Sequence, residues 1–401
     1  MIQSLKNTMK DNTFNVNLVY IVDYFHPEKN SASIQSIDLV NELSKKKNIL
    51  VLTPNHNSHE SEERPSGNVY VKRISPFFSR KRSRLKRFLS EILWPINVIF
   101  FLLFTRKINL NSMRGIIWYS PSIFHGPIIS FLKKRFKAKS YLILRDIFPK
   151  WAKDLGIIKN EFLYKFLRIF ENYQYNLADT IGVQSIGNIE ILKSLHKADT
   201  KIEVLNNWLT ADKKFISNNS TNVKQIIYSG NLGIAQGFES IMPAIKNLRN
   251  FNNLKFLLIG SGESFQYIMD FIDKNKLKNV ELSKEIDNKE LLILYKESNY
   301  GLVSLDLRHK TNNIPGKFVS YMHYGLPCIS ISRRGDDLSN IIENNNLGIC
   351  SNSLNAKEIS SKIIQLINKD HQQLKRNCLN YALKEFSTGA IATKIMETFN
   401  N

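Results

Sequence analysis

Short, continuous apolar runs alternate along this chain with longer stretches in which apolar residues recur three and four positions apart. A strand buried on both faces reads as a continuous run and a covering helix reads as a stripe, so the alternation predicts βαβ units around parallel sheets. In the first half it predicts strands over 16–22, 48–53, 115–119, 140–144 and 180–183, with helices over 33–46 and 161–178. The second half restarts the pattern. Strands are predicted over 224–229, 255–259, 279–282, 300–304 and 327–331, and helices over 238–248, 263–274, 289–297 and 316–324. Between the halves, Asn206 to Asn222 is polar and irregular and reads as an interdomain linker. A closing helical region runs from about Ala356 to Phe399. With 401 residues, more than one hydrophobic core usually serves, the chain divides into a domain over 1–206 and a second over 207–380.

Composition narrows the class. The chain is 43% hydrophobic and 23% charged, which is globular rather than disordered. Cys328, Cys350 and Cys378 lie far apart and form neither a disulfide framework nor a metal-binding pair, which fits a reducing compartment. The first fifteen residues are polar and lack the apolar stretch of a secretion signal, so a cytoplasmic location is expected. A net charge of +21 favours anionic partners. The basic run Arg80 to Arg87 directly precedes the apolar segment Phe88 to Phe104, an arrangement that suits an anionic membrane surface better than a nucleic-acid groove. That segment reads either as an interfacial helix or as a buried helix of the first domain. Glu91, Pro95 and Asn97 inside its 17 residues argue against a full membrane span.

The chemistry concentrates in loops. Tyr228-Ser-Gly-Asn-Leu-Gly-Ile-Ala-Gln-Gly237 follows a strand and opens a helix, so Gly230 and Gly233 let the backbone approach a phosphate that free N–H groups and the helix dipole would hold. The next βα turn, Ile259-Gly-Ser-Gly-Glu263, repeats the design with Gly260 and Gly262. A tight turn demanded by packing alone is the competing reading of each loop. A third element, Asp306 to Lys317, enters the helix over 316–324. Lys317 falls in that helix's first turn, against the dipole, and an anion held there would offset the cost. In the first half, Trp118-Tyr-Ser-Pro-Ser-Ile-Phe-His125-Gly and Leu144-Arg-Asp146 each end a strand. His125, Arg145 and Asp146 are therefore candidates to position reacting groups, with a strand-end ion pair and a core histidine as the structural alternatives. No P-loop, HExxH, GxSxG or DxD pattern is present, and Asp336-Asp337 is merely adjacent, so no metal is indicated.

These residues resemble the GT-B glycosyltransferases of family 4, and within them the N-acetyl-L-fucosamine transferase group of O-antigen and capsule assembly. The resemblance rests on Arg145-Asp-Ile-Phe-Pro-Lys-Trp-Ala-Lys-Asp-Leu-Gly156, on Tyr228 to Gly237, and on Ile314-Pro-Gly-Lys-Phe-Val-Ser-Tyr-Met-His-Tyr-Gly-Leu-Pro327. It implies two Rossmann-like, doubly wound α/β domains facing across a cleft. The acceptor would be held by the first and a UDP-sugar by the second, and the helix over 381–401 would pack back on the first domain. It also implies a retaining transfer without metal or other cofactor, in which a donor phosphate oxygen takes the acceptor proton. The basic run and the apolar segment motivate an undecaprenyl-diphosphate-linked sugar as the acceptor. Departures from the family are specific. Asn231 and Gln236 stand where many members carry Arg and Lys, so Lys317 is assigned the diphosphate charge. Ser320 stands where a Glu commonly holds the ribose. The first glycine-rich loop is replaced by Pro27 to Ser33, where Ser31 and Ser33 would serve the acceptor side.

Two other readings accompany this one. A UDP-sugar 2-epimerase of the same fold would need carboxylates and a histidine converging on the sugar. A degenerate, non-catalytic homologue is motivated by Asn231 and Ser320. No nucleic-acid recognition motif accompanies the charge.

Overall fold

The structure, a computed structural model, describes residues 13–28, 30–55, 59–78, 84–154, 156–196, 199–210, 223–304 and 314–400. The chain divides into two compact units, Met1–Leu205 with Ile391–Asn401, and Asn206–Ala390.

Unit 1 contains β1 (Phe14–Asn15), β2 (Leu18–Ile21), α1 (Ser31–Ser44), β3 (Ile49–Pro54), β4 (Glu62–Ser66), β5 (Val69–Ile74), α2 (Arg84–Phe104), β6 (Ile108–Asn109), β7 (Gly115–Tyr119) and α3 (Gly126–Phe136). It continues through β8 (Lys139–Leu144), α4 (Lys150–Asp154), α5 (Glu161–Leu177), β9 (Thr180–Val183), α6 (Ile186–Leu195) and β10 (Lys201–Val204). Its main sheet runs β10-β9-β8-β7-β2-β3-β5-β4. All pairs are parallel except the β4–β5 hairpin. Strand β4 escapes a reading by periodicity because Glu-Glu-Arg-Pro-Ser is a charged, exposed edge with no apolar face.

Unit 2 contains β11 (Lys224–Ser229), α7 (Phe238–Asn247), β12 (Leu254–Ile259), α8 (Phe265–Asn275), β13 (Val280–Ser283), α9 (Asn288–Glu297), β14 (Tyr300–Ser304), α10 (Gly316–His323) and β15 (Cys328–Ile331). It ends with α11 (Asp337–Asn344), β16 (Gly348–Ser351), α12 (Ala356–Ile367), α13 (His371–Tyr381) and the start of α14 (Thr388–Asn400). The order β13-β12-β11-β14-β15-β16 is that of a doubly wound sheet, and the order reverses between β11 and β14. In unit 1 the reversal falls between β2 and β7. The central strands of both sheets are buried along most of their length, as their uninterrupted apolar sequences require.

Two predicted boundaries move. Asn206 to Thr210 is packed chain rather than linker: Trp208 is buried, and Leu209 N donates to the Phe386 carbonyl. The remainder of that polar run, 211–222, lies outside the described residues, as does 305–313. The C-terminal crossover falls at Ile391 rather than 381, because Tyr381 and Phe386 belong to the core of unit 2, where Phe386 meets Phe318 and Tyr381 edge-on. Beyond Ile391, Thr398 Oγ1 donates to Thr180 Oγ1 at 3.0 Å within unit 1.

Helix α2 is buried on one face, as the core-helix reading requires, and exposes apolar side chains on the other. Ser90, Trp94, Val98 and Leu102, four residues apart, bury one stripe, and Trp94 Nε1 donates to the Ile74 carbonyl at 3.0 Å. Leu89, Ile96, Phe100, Leu103 and Phe104 stand exposed on the other side. By length and composition Lys86–Phe104 would pass for a membrane span, yet its buried stripe ties it to the sheet. Trp94→Ala is therefore expected to cost about 3–5 kcal/mol in urea unfolding. Phe100→Ser and Leu103→Ser should each stay within about 0.5 kcal/mol.

Candidate functional site

In open α/β sheets a ligand sits beyond the carboxyl ends of the strands where the order reverses, because the connecting loops part there. In unit 2 that point is flanked by Gly230, which follows β11, and by the first turn of α10.

The two glycine-rich turns prove to be one packed body. A side chain on Gly260, whose φ is +153°, would collide with the Gly230 carbonyl, and one on Gly262 would collide, less severely, with Leu232 and Asn231. Gly260 and Gly262 are thus required by the contact between the turns, the packing alternative for this loop. The backbone donors correct one expectation. Gly230 N donates to the Ile259 carbonyl, Leu232 N to that of Ser261, and Gly233 N to Gln236 Oε1 at 2.9 Å. The side chain of Gln236 therefore takes the N–H of Gly233, one of those expected to hold phosphate. Asn231 lies wedged between Gly233 and Gly262.

Gly230 differs from its neighbours. Its φ of +124° demands glycine, and the space where a Cβ would stand meets only Lys317 Cε and Nζ, at 3.6 and 3.7 Å. Lys317 lies in the first turn of α10, as its sequence position predicts. Its ammonium sits 3.5 Å from the ring centroid of Tyr228, and among the described residues it makes no ion pair. Loss of hydration lowers its pKa from the usual lysine value to about 7. Ser320, one turn later, is half-buried and donates weakly to the Gly316 carbonyl at 3.4 Å. Beneath the site, Ser229 Oγ and Tyr295 Oη are 2.6 Å apart, and Ser304 Oγ donates to the Gln236 carbonyl at 2.6 Å.

Unit 1 builds a second constellation at its own reversal point. Asp23 follows β2 and His125 opens α3 beyond β7, and His125 Nε2 stands 3.4 Å from Asp23 Oδ1. Both are buried, and the Trp94 ring lies 5.6 Å from the imidazole. A pocket beside them is lined by Asp23, Pro54, Ser90, Glu91, Trp94 and His125. Sequence reasoning does not single out Asp23, Trp94 or Glu91 for this site. An Asp directly after a buried strand is the signal it had available. Arg145 is part of the framework: its Nη1 donates to the Leu205 carbonyl at 2.8 Å, and its own carbonyl accepts from Gln184 Nε2 at 2.8 Å. It thus stitches strand ends together rather than presenting its charge. Asp146, the next residue, is exposed.

The Pro27–Ser33 segment also requires correction. Asn30 caps α1, accepting from Ser33 N at 2.9 Å, and Ser33 is fully buried against the sheet, so its hydroxyl is closed to an acceptor. Ser31 is exposed. Among the described residues no cluster of three His, Cys, Asp or Glu could hold a metal ion. Asp336 caps α11 by accepting from Ser339 N.

Two doubly wound units, each with polar side chains gathered at its reversal point, place the protein in the α/β class. Residues 210–385, within the second unit, match the family described as Glycosyl transferases group 1; the fold is GT-B-like and the protein is a glycosyltransferase. The chain is 24% identical over 291 residues to the probable glycosyltransferase WbjE of Pseudomonas aeruginosa, covering 68% of this chain and 70% of that one. It is 24% identical over 242 residues to the putative colanic acid biosynthesis glycosyl transferase WcaI of Escherichia coli K12, covering 55% and 56%. Among solved structures, Anabaena Alr3699/HepE in complex with UDP and glucose superposes with a TM-score of 0.62 at 12% identity, covering 96% of this chain and 99% of that one.

The desolvated cation makes a stability prediction. The pKa of Lys317 in the folded chain lies below its unfolded value, so the charged form costs stability at and below about pH 7, and the cost fades as pH rises toward the ordinary lysine range. Lys317→Met should accordingly raise the Tm most near pH 6 and least near pH 10, as scanning calorimetry across that range would register.

Proposed function

We propose that this glycosyltransferase moves a sugar from a UDP-sugar to a lipid-linked sugar acceptor during assembly of a surface polysaccharide. The observation that carries the reading is the Lys317 ammonium held at the open face of Gly230, at the reversal point of the second sheet. Such a charge is poised for an anion, and a nucleoside diphosphate brings one. The UDP bound to the Anabaena protein, and the colanic acid biosynthesis named for the Escherichia coli relative, support the donor and the pathway class. The resemblance to amino-sugar transferases in 145–156, 228–237 and 314–327 supports an N-acetylated deoxyamino sugar as the group transferred.

In this reading the acceptor oxygen forms a bond to the anomeric carbon while the bond from that carbon to the diphosphate oxygen breaks. The acceptor proton passes to a phosphate oxygen of the departing UDP, with retention of configuration. Lys317 offsets the charge that grows on the leaving diphosphate, so no metal is called for. Unit 1 receives the acceptor near His125 and Asp23. The exposed apolar face of α2, preceded in sequence by basic residues, rests on an anionic membrane surface on its cytoplasmic side.

The decisive experiment incubates the protein with UDP-sugars and a polyprenyl-diphosphate-linked GlcNAc. Transfer should occur, and Lys317→Met should lower kcat/KM by about 100-fold or more, in line with loss of a group that stabilises leaving-group charge. Absence of transfer with every donor would sink the reading, and conversion of UDP-GlcNAc without acceptor would replace it with epimerisation. The protein should sediment with phosphatidylglycerol vesicles and not with phosphatidylcholine vesicles. Phe100→Ser combined with Leu103→Ser should abolish that sedimentation.

A further inference from the structure

We propose that Tyr228 is a positioning residue for the donor diphosphate, its ring face holding the Lys317 ammonium at the open side of Gly230. The inference rests on the reading of Gly230 and Lys317 as the diphosphate site.

Lysine is a poor choice for a fixed charge, because its stem is flexible and its ammonium is strongly hydrated. Something must hold it in place. Here the holder is an aromatic face, with Nζ 3.5 Å from the ring centroid of Tyr228, where the ring quadrupole attracts a cation. The ring itself is fixed. Tyr228 is fully buried, its Oη donates to the Asn231 carbonyl at 2.5 Å, and Phe238 meets it edge-on at 5.0 Å and 80°. Among the described residues no carboxylate or second cation acts on Lys317, and Tyr228 is the titratable group that faces it.

The choice of a ring over a carboxylate has a consequence for binding. A carboxylate would neutralise the ammonium and compete with an incoming phosphate, whereas a quadrupole holds the cation and leaves its net charge intact. The Tyr228 hydroxyl, occupied with the Asn231 carbonyl, plays no part in this contact.

The test is calorimetric titration of UDP into the full-length protein at pH 6, where Lys317 is charged, with residue 228 as Tyr, Phe, Leu and a series of phenylalanines of increasing ring fluorination. Fluorination preserves the ring's shape while draining its negative face. Tyr228→Phe should bind UDP within about twofold of the parent, Tyr228→Leu should bind about tenfold more weakly, and Kd should climb with each added fluorine. A flat fluorination series, with UDP binding intact in the parent protein, overturns the role of the ring. Failure of the parent protein to bind UDP overturns the diphosphate site itself. Should Tyr228→Leu not fold, judged by circular dichroism, the fluorinated series decides alone.

Discussion

A cation drawn out of water with no counter-ion among the described residues is a standing cost, and the carboxyl edge of the second sheet is arranged around one. Lys317 is put there by backbone rather than by choice of rotamer alone. Strand β14 ends at Ser304 and Gly316 starts α10, so the first turn of that helix faces the turn after β11. Gly230 leaves the room, Tyr228 supplies the attractive surface, and loss of hydration depresses the ammonium's pKa to about 7. The positive end of the α10 dipole adds to the penalty. In the proposed function the donor diphosphate arriving at that spot is met by all of these at once.

The glycine-rich turns take a different part from the one such turns usually suggest. Their backbone donors are largely used within the loops, and Gly260 exists to let the second turn lie against the carbonyl of the first. The result is a rigid shelf on which Gly230 and Lys317 have fixed positions. In unit 1 the corresponding rigidity comes from side chains. Arg145, Gln184 and Ser120 cross-link the strand ends, and the Asp23–His125 pair is set at the reversal point among buried neighbours. Both sheets follow one rule. Strands buried on both faces leave no place for polar groups along their length, so the chemistry is displaced to the edge where the strands end.

This rule is why the architecture is legible in the sequence and the site only partly so. Continuous apolar runs locate β2, β3, β7, β8, β9 and β11 to β15 to within a residue or two, with β7, β9, β11 and β14 matching their predicted spans, whereas β5, β10 and β16 have no predicted counterpart. The helices α3, α6 and α11 and the charged edge strand β4 carry little periodic signal and escape that reading. Lys317 is identifiable because a lysine in a helix's first turn violates a local preference. Tyr228 opens a glycine-rich motif but looks like core, since nothing in the sequence brings a residue of β11 next to one in the first turn of α10. The contact of Gly260 with Gly230 is likewise invisible without the fold, so a packing glycine and a ligand glycine read alike. Arg145 looks catalytic for the same reason: its partner, the Leu205 carbonyl, lies 60 residues away.

Helix α2 shows how one segment can carry two constraints without compromise. Its stripe of Ser90, Trp94, Val98 and Leu102 is what the sheet needs, and the opposite face is free to vary. That face nevertheless keeps Ile96, Phe100, Leu103 and Phe104, where solvent would ordinarily select charged residues. Exposed apolar groups in such number are costly to keep in water, and the basic stretch that precedes them in sequence would be wasted on an apolar protein partner. In the proposed function both features serve one anionic lipid interface, which attracts the charge and shelters the rings. A lipid-linked acceptor lies in such an interface, so on this reading the same helix that completes the fold of unit 1 also brings the enzyme to its substrate.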